Sequence, residues 1–298
     1  MSGKRKWKGQ THGTPWMHKA LIILLKVLPL WVLYLVMALV IPFYLIFNRQ
    51  GYLSIYHYLR RRRGWNPVKA FLGCYGNHFL FGTAVLDRFA TYAGKRFKTD
   101  APRLNLFSEL EQQEEGFILL SSHIGNAEMC GYMLRSDRKR MNAISFGGEK
   151  ESIRESRRKM LEANNIRLIP TDEDMNWLFT LNAALADGEI VNIHGDRSFG
   201  SLRTIAVQFL GAEARLPQGP FTLAAMRNLP VLAGFCLKTG LHTYRVDLYR
   251  LDTEDMHDMG REEMMNALSQ NYARQMEEVL ASHPLQWYNF FEFWEFDK

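Results

Sequence analysis

His123, Ile124, Gly125, Asn126, Ala127 and Glu128 put an imidazole and a carboxylate five positions apart, directly after the apolar run Phe117-Ile118-Leu119-Leu120 and two serines. On a continuous helix, side chains at that spacing lie roughly 140° apart, too far round the axis for an easy pair. The chain must break between them. Gly125 permits an unusual backbone turn, and Asn126 is a good N-cap for a helix opening at Ala127, with Glu128 in its first turn. The segment reads strand, histidine, turn, helix, glutamate, an arrangement in which a carboxylate can hold an imidazole in one tautomer and stabilise it once protonated, as general base catalysis requires. The same residues also make an ordinary capped helix, and a histidine at a strand end can simply satisfy a backbone group.

Other residues share this location. Gly195-Asp196-Arg197 follows the strand-like run Ile190 to His194, and in an open α/β sheet ligands bind beyond the carboxyl ends of strands. The alternative is a surface turn with a local ion pair. Pro217-Gln218-Gly219-Pro220-Phe221 reads as a loop opening a helix, whose free N–H groups, like those near Asn126, suit an oxyanion or phosphate. Between Glu149 and Lys159, arginines alternate with glutamates as on a solvated helix, although Arg158 could bind an acidic headgroup or carrier. His194 reads as a packed strand residue. Ser122 next to His123 is a poor dyad, because adjacent strand residues face opposite sides. The sequence holds no G-x-S-x-G elbow, phosphate loop, H-E-x-x-H or paired C-x-x-C. Its three cysteines, Cys74, Cys130 and Cys236, are too dispersed for a disulfide framework or a cysteine zinc site, so no metal and no cofactor are expected.

The elements that must position these residues are legible in the hydrophobic pattern. From Val27 to Phe47 no charge occurs, which is long enough as a helix to cross a hydrocarbon core of roughly 30 Å. Basic residues flank it on both sides, Lys4 to Lys19 before and Arg49 and Arg60 to Arg63 after, so the positive-inside rule is nearly balanced. A re-entrant or in-plane anchor would keep both flanks on the cytoplasmic side. A cleaved signal peptide fits less well, and a buried core helix is the alternative. The net charge of +6 and pI of about 9.2 call for an acidic partner, and proximity of the arginine cluster to the apolar run favours an anionic membrane surface over nucleic acid.

Beyond residue 100 the pattern alternates as βα units do, predicting an α/β fold with a mixed sheet flanked by helices. Strand-like runs are Phe117 to Ser121, Met141 to Phe146, Ile166 to Pro170, Ile190 to His194, Ile205 to Leu210, Val231 to Leu237 and Tyr244 to Leu248. Helical patterns fall at 127–135, 149–164, 174–187, 220–228 and 261–282, and helices also fill 65–98. Two segments result: 1–50, basic and anchoring, and 51–298, one catalytic domain. The aromatic ending from Pro284 to Trp294 reads as a core cap.

Together, the apolar anchor, HIGNAE after a strand, GDR after a later strand and the run from Val207 through FLGAEARLPQGPFTLAAMRNLPVL to Ala233 resemble the bacterial late acyltransferases of lipid A biosynthesis. The resemblance spans about residues 20 to 290. It implies the glycerolipid acyltransferase fold and an H-x4-E pair with His123 as base and Glu128 as its orienting partner. It implies substrate-binding positions at Asn126, Asp196 and Arg197, with Arg158 and Gly219 as further candidates. The implied enzyme sits at the cell inner membrane with its catalytic domain facing the cytoplasm, and moves a fatty acyl group from an acyl carrier protein thioester to a hydroxyl of a membrane lipid. Ala127 stands where the family motif has tryptophan, and the acidic ending with Glu292, Glu295 and Asp297 is more similar to acyltransferases of aryl polyene and related pigment lipids. The alternatives are an acyl-CoA-dependent lysolipid acyltransferase and an inactive membrane protein that binds lipid or carrier.

Overall fold

A computed structural model of the protein describes residues 15–146, 157–158, 160–171, 176–197 and 203–294. Its N-terminal part is helical: Pro15–Val27 (α1), Leu30–Phe47 (α2), Arg49–His57 (α3) with a π-helical turn at Tyr58–Arg62, and Pro67–Tyr92 (α4). Pro29 separates α1 from α2, where its fixed φ and missing N–H interrupt the helix. On α2 the buried residues Leu30, Leu33, Tyr34 and Ile41 fall on one stripe, which packs against α4. The opposite face of α2 is open to solvent. The helices expected within 65–98 are a single one, α4, begun by Asn66 as N-cap and Pro67 at its first position.

The α/β part consists of Lys98–Asp100 (β1), Leu104–Gln112 (α5), Phe117–Ser121 (β2), Ala127–Met133 (α6), Met141–Phe146 (β3), Ile166–Thr171 (β4), Asn176–Ala186 (α7), Ile190–His194 (β5), Thr204–Phe209 (β6), Ala212–Pro217 (β7), Gly219–Arg227 (α8), Val231–Lys238 (β8), Thr243–Arg250 (β9) and Arg261–Ser282 (α9). Seven strands, in the order β1-β9-β8-β2-β5-β3-β4, form the mixed sheet that the alternating pattern predicts, while the predicted run Ile205 to Leu210 stands apart from it in a two-stranded sheet. Central β2 is parallel to both neighbours, β5 and β8, and buried at every position, as a strand covered on both faces must be. Most of the expected helix at 149–164 lies outside the described residues.

Two strands escape the sequence pattern. β1 is three exposed residues paired to β9, too short to show alternation. β7 pairs with β6 in an antiparallel hairpin closed by Leu210 and Gly211, both at positive φ (51° and 77°), the twist a two-residue hairpin turn needs. The ending caps the core as expected: Trp287 is fully buried, with its ring 5.2 Å from Tyr58, 5.5 Å from Phe209 and 5.0 Å from Phe293.

Gly125 fixes where β2 gives way to α6. Its φ is 71°, and a Cβ there would stand 2.0 Å from the Cys236 carbonyl oxygen. Its N–H donates to the Gln286 carbonyl at 2.7 Å, and the Asn126 N–H donates to the Cys236 carbonyl at 2.7 Å. The turn is therefore held by the end of β8 on one side and the aromatic ending on the other. Gly125→Ala must move backbone rather than a side chain, and should lower the thermal midpoint by more than about 5 °C in a calorimetric or circular dichroism melt.

Candidate active site

The strand register brings His123 to Asp196. In the parallel pair β2 and β5, Ser121 lies opposite His194, so the residues two beyond each strand end face one another. Nδ1 of His123 donates to Asp196 Oδ1 at 2.9 Å, and the His123 backbone N–H donates to Asp196 Oδ2 at 2.8 Å. The indole N–H of Trp287 reaches Oδ2 at 3.4 Å. Burial acts to raise the pKa of the Asp196 carboxyl, but the charge and hydrogen bond of His123, with His194 and Arg197 behind them, outweigh it and hold the group well below the ordinary carboxylate range. An ionised Asp196 keeps the imidazole proton on Nδ1, which makes Nε2 the basic nitrogen. The Tyr288 N–H donates to the His123 carbonyl at 2.9 Å and holds the residue from the third side.

Glu128 is elsewhere. Its carboxylate accepts from the Tyr132 hydroxyl at 2.8 Å and from the Tyr92 hydroxyl, and it meets Arg157 Nε at 3.0 Å and Arg88 Nη1 at 3.6 Å. The expected contact between Glu128 and the imidazole is thereby corrected: a second carboxylate, from β5, occupies Nδ1 of His123, and Glu128 is spent on two arginines and two tyrosines. The arrangement follows from charge. Burial would raise the Glu128 pKa, yet Arg157 first, then Arg88 and the tyrosine hydroxyls, lower it. A buried carboxylate without such partners would not stay ionised.

The remaining candidates divide. Asn126 is the N-cap of α6, accepting from the Met129 N–H at 3.3 Å while its amide donates to the Ala84 carbonyl at 3.0 Å and to the Tyr244 hydroxyl at 3.4 Å. Its side chain is buried and turned inward, and the backbone N–H groups of Gly125 and Asn126 donate to the Gln286 and Cys236 carbonyls. Arg197 follows Asp196 but turns to the ending, donating to the Tyr288 carbonyl at 3.2 Å and stacking over Phe291 at 5.1 Å. Arg158 is exposed and lies 3.7 Å from Glu162, the i,i+4 pair of a solvated helix. Gly219 opens α8 at the surface, and among the described residues no hydrogen bond joins it to the His123 cluster.

His194, read from the sequence as a packing residue, has its ring 4.8 Å from that of His123. Burial, then the neighbouring His123, push its pKa down to about 3, so it stays neutral beside the catalytic candidate. Sequence reasoning missed Arg88, Tyr92, Arg157, Trp287 and Tyr132 as members of the site. Only Tyr132, four residues beyond Glu128 on α6, carried a local signal. Among the described residues, no group of three or more His, Cys, Asp or Glu is gathered to hold a metal ion.

An imidazole backed by a buried carboxylate, set where parallel strands end, is an arrangement that can serve acid–base chemistry. The family model for bacterial lipid A biosynthesis acyltransferases matches residues 86–295, and the chain belongs to that family. It is an acyltransferase, acting in lipid biosynthesis. No curated protein matches the chain significantly.

Both site carboxylates are more acidic in the folded chain than in an unfolded one, so their stabilisation is complete above about pH 4.5 and is lost as pH falls through the lowered values. Acid titration followed by circular dichroism should show stability dropping below about pH 4. Glu128→Gln should flatten that drop while costing about 3 kcal/mol at neutral pH, because two arginines lose their counter-ion.

Proposed function

We propose that this acyltransferase moves a fatty acyl group from an acyl carrier protein thioester to a hydroxyl of a membrane lipid, with His123 as general base. The observation that carries the reading is the buried Asp196 carboxylate on Nδ1 of His123, which fixes the tautomer in which Nε2 is the basic nitrogen. The acceptor hydroxyl loses its proton to Nε2 as its oxygen attacks the thioester carbonyl. The tetrahedral intermediate then collapses, the C–S bond breaks, and the carrier thiolate leaves and takes the proton from the imidazolium. Asp196 stabilises that imidazolium and fixes the ring's orientation. No covalent acyl-enzyme intermediate is needed.

Glu128 acts through Arg157 and Arg88 rather than through the imidazole. Arg157 lies within electrostatic range of His194, next to the reacting face, and its charge suits an acidic group of donor or acceptor. The membrane setting, at the inner membrane with the domain of 51–298 facing the cytoplasm, is supported by α2, which is long and apolar enough to cross a bilayer, and by the basic residues around it. Ala127 replaces a bulky side chain at the start of α6, and with the acidic ending it favours an acceptor of the aryl polyene kind over lipid A itself.

Purified full-length protein with radiolabelled acyl carrier protein and a membrane lipid extract tests the chemistry. His123→Ala should lose about 10³-fold or more in transfer while keeping its melting profile, and Asp196→Asn should lose a comparable factor in kcat with little change in KM. Near-normal turnover by His123→Ala would overturn the assignment, and mass spectrometry of the labelled product identifies the acceptor.

A further inference from the structure

The apolar helix α2 is long enough to cross a membrane, yet both of its ends are fixed to one side of the same α/β body. Near its start, the Tyr34 hydroxyl donates to Asp87 of α4, and Lys238 at the end of β8 reaches Asp87 at 2.5 Å and Tyr34 at 2.9 Å. Along its length, Met37 lies against Gly82, and the Tyr75 hydroxyl donates to the Ala38 carbonyl at 3.0 Å. Past its other end, the Tyr58 hydroxyl donates to the Pro284 carbonyl at 3.2 Å, and His57 pairs with Glu292 at 2.9 Å. The helix α4 beneath it is in turn tied to the catalytic body, Asn77 donating to the Trp287 carbonyl at 2.8 Å and Ala84 accepting from Asn126.

An 18-residue helix is about 27 Å long, close to the roughly 30 Å of hydrocarbon it would have to cross. If α2 crossed, its two ends would emerge on opposite faces of the membrane. The Asp87–Lys238 pair and the His57–Glu292 pair would then also lie on opposite faces, and the body joining them would pass through hydrocarbon, where unpaired polar backbone and charge are expensive. The outward face of α2, with Trp31, Leu35, Leu39, Phe43, Ile46 and Phe47, is nevertheless exposed and apolar along its whole length. Exposed Lys19 and Lys26 on α1 and Arg49 beyond α2 border it with positive charge.

We infer that α2 does not span the bilayer but lies along one leaflet of an anionic phospholipid membrane, its outward face in the hydrocarbon and the residues before and after it on the same side as the catalytic body. Exposed Val68, Phe71 and Leu72 in the first turns of α4 extend the apolar surface. The inference rests on the membrane setting proposed above, and its experiment separates the two. The native cysteines Cys74, Cys130 and Cys236 are buried, so cysteines introduced into the full chain by Lys19→Cys and Gln50→Cys can be read with a membrane-impermeant maleimide. Both should be protected in intact spheroplasts and both labelled in inverted vesicles. Lys26→Cys and Arg49→Cys supply a second pair if either first variant fails to accumulate. Labelling of the two positions from opposite sides overturns the inference and leaves the membrane setting standing. Release of the native chain into the soluble fraction by carbonate washing overturns both.

Discussion

The Asp196 carboxylate accepts both the backbone N–H and the ring Nδ1 of His123, and the conformation of the chain after β2 follows from that double bond. A residue held at two points cannot continue the strand or begin a helix at will. The chain must turn at once, Gly125 supplies the positive φ, and Asn126 starts α6 as soon as the turn is complete. The aromatic ending is placed by the same constraint: Trp287 donates to Oδ2 of the same carboxylate, and its neighbour Tyr288 donates to the His123 carbonyl. The charge and ring hydrogen bond of His123 also help to keep Asp196 ionised against the cost of its burial.

The two strand ends were legible as sites, because HIGNAE and GDR each follow an apolar run of strand length, and β2, β3 and β5 have the bounds their sequences predict. Which carboxylate faces the imidazole was not. Five residues along a chain say how far Glu128 is from His123 in sequence, whereas the Asp196 contact crosses 73 residues and depends on the register of two parallel strands. Register is settled by packing across the whole sheet, so no local spacing reports it. The partners of Glu128 were hidden for the same reason: Arg88 and Tyr92 come from α4, whose helical period marks a buried face without naming its neighbour. The hairpin of β6 and β7 was legible in principle, since Leu210-Gly211 separates two strand-like runs by two residues, but a turn with a non-glycine residue at positive φ is a weak signal.

Two buried charge clusters flank the turn at Gly125, and α4 contributes to both. Asp87 meets Lys238, Tyr34 and Tyr244, and the next residue, Arg88, meets Glu128. Buried ion pairs of this kind add little net stability over well-packed apolar groups, since desolvation consumes most of the attraction. What they add is position: shifting α4 by one residue would part Asp87 from Lys238, Tyr34 and Tyr244 and take Arg88 and Tyr92 away from Glu128, at a cost of several kcal/mol. The register of α4 against the sheet is therefore more tightly specified than apolar packing alone would make it.

That specification reaches the apolar face of α2. Tyr34 is the one polar side chain on the buried stripe of that helix, and its hydroxyl ends on Asp87, whose other oxygen accepts from the Tyr244 hydroxyl that Asn126 contacts. The path from α2 to the cap of α6 is thus three hydrogen bonds, all between buried groups. An anchor joined to its enzyme by a disordered linker would leave the active site free to tumble beside the membrane. Here the helix that carries the apolar face is packed on the helix that contacts the site, so the orientation of His123 relative to that apolar face is fixed by the fold. If α2 lies on the membrane as inferred, a lipid hydroxyl there would meet a base whose orientation is already set, and part of the entropic cost of bringing acceptor and base together would be met by folding rather than by each encounter.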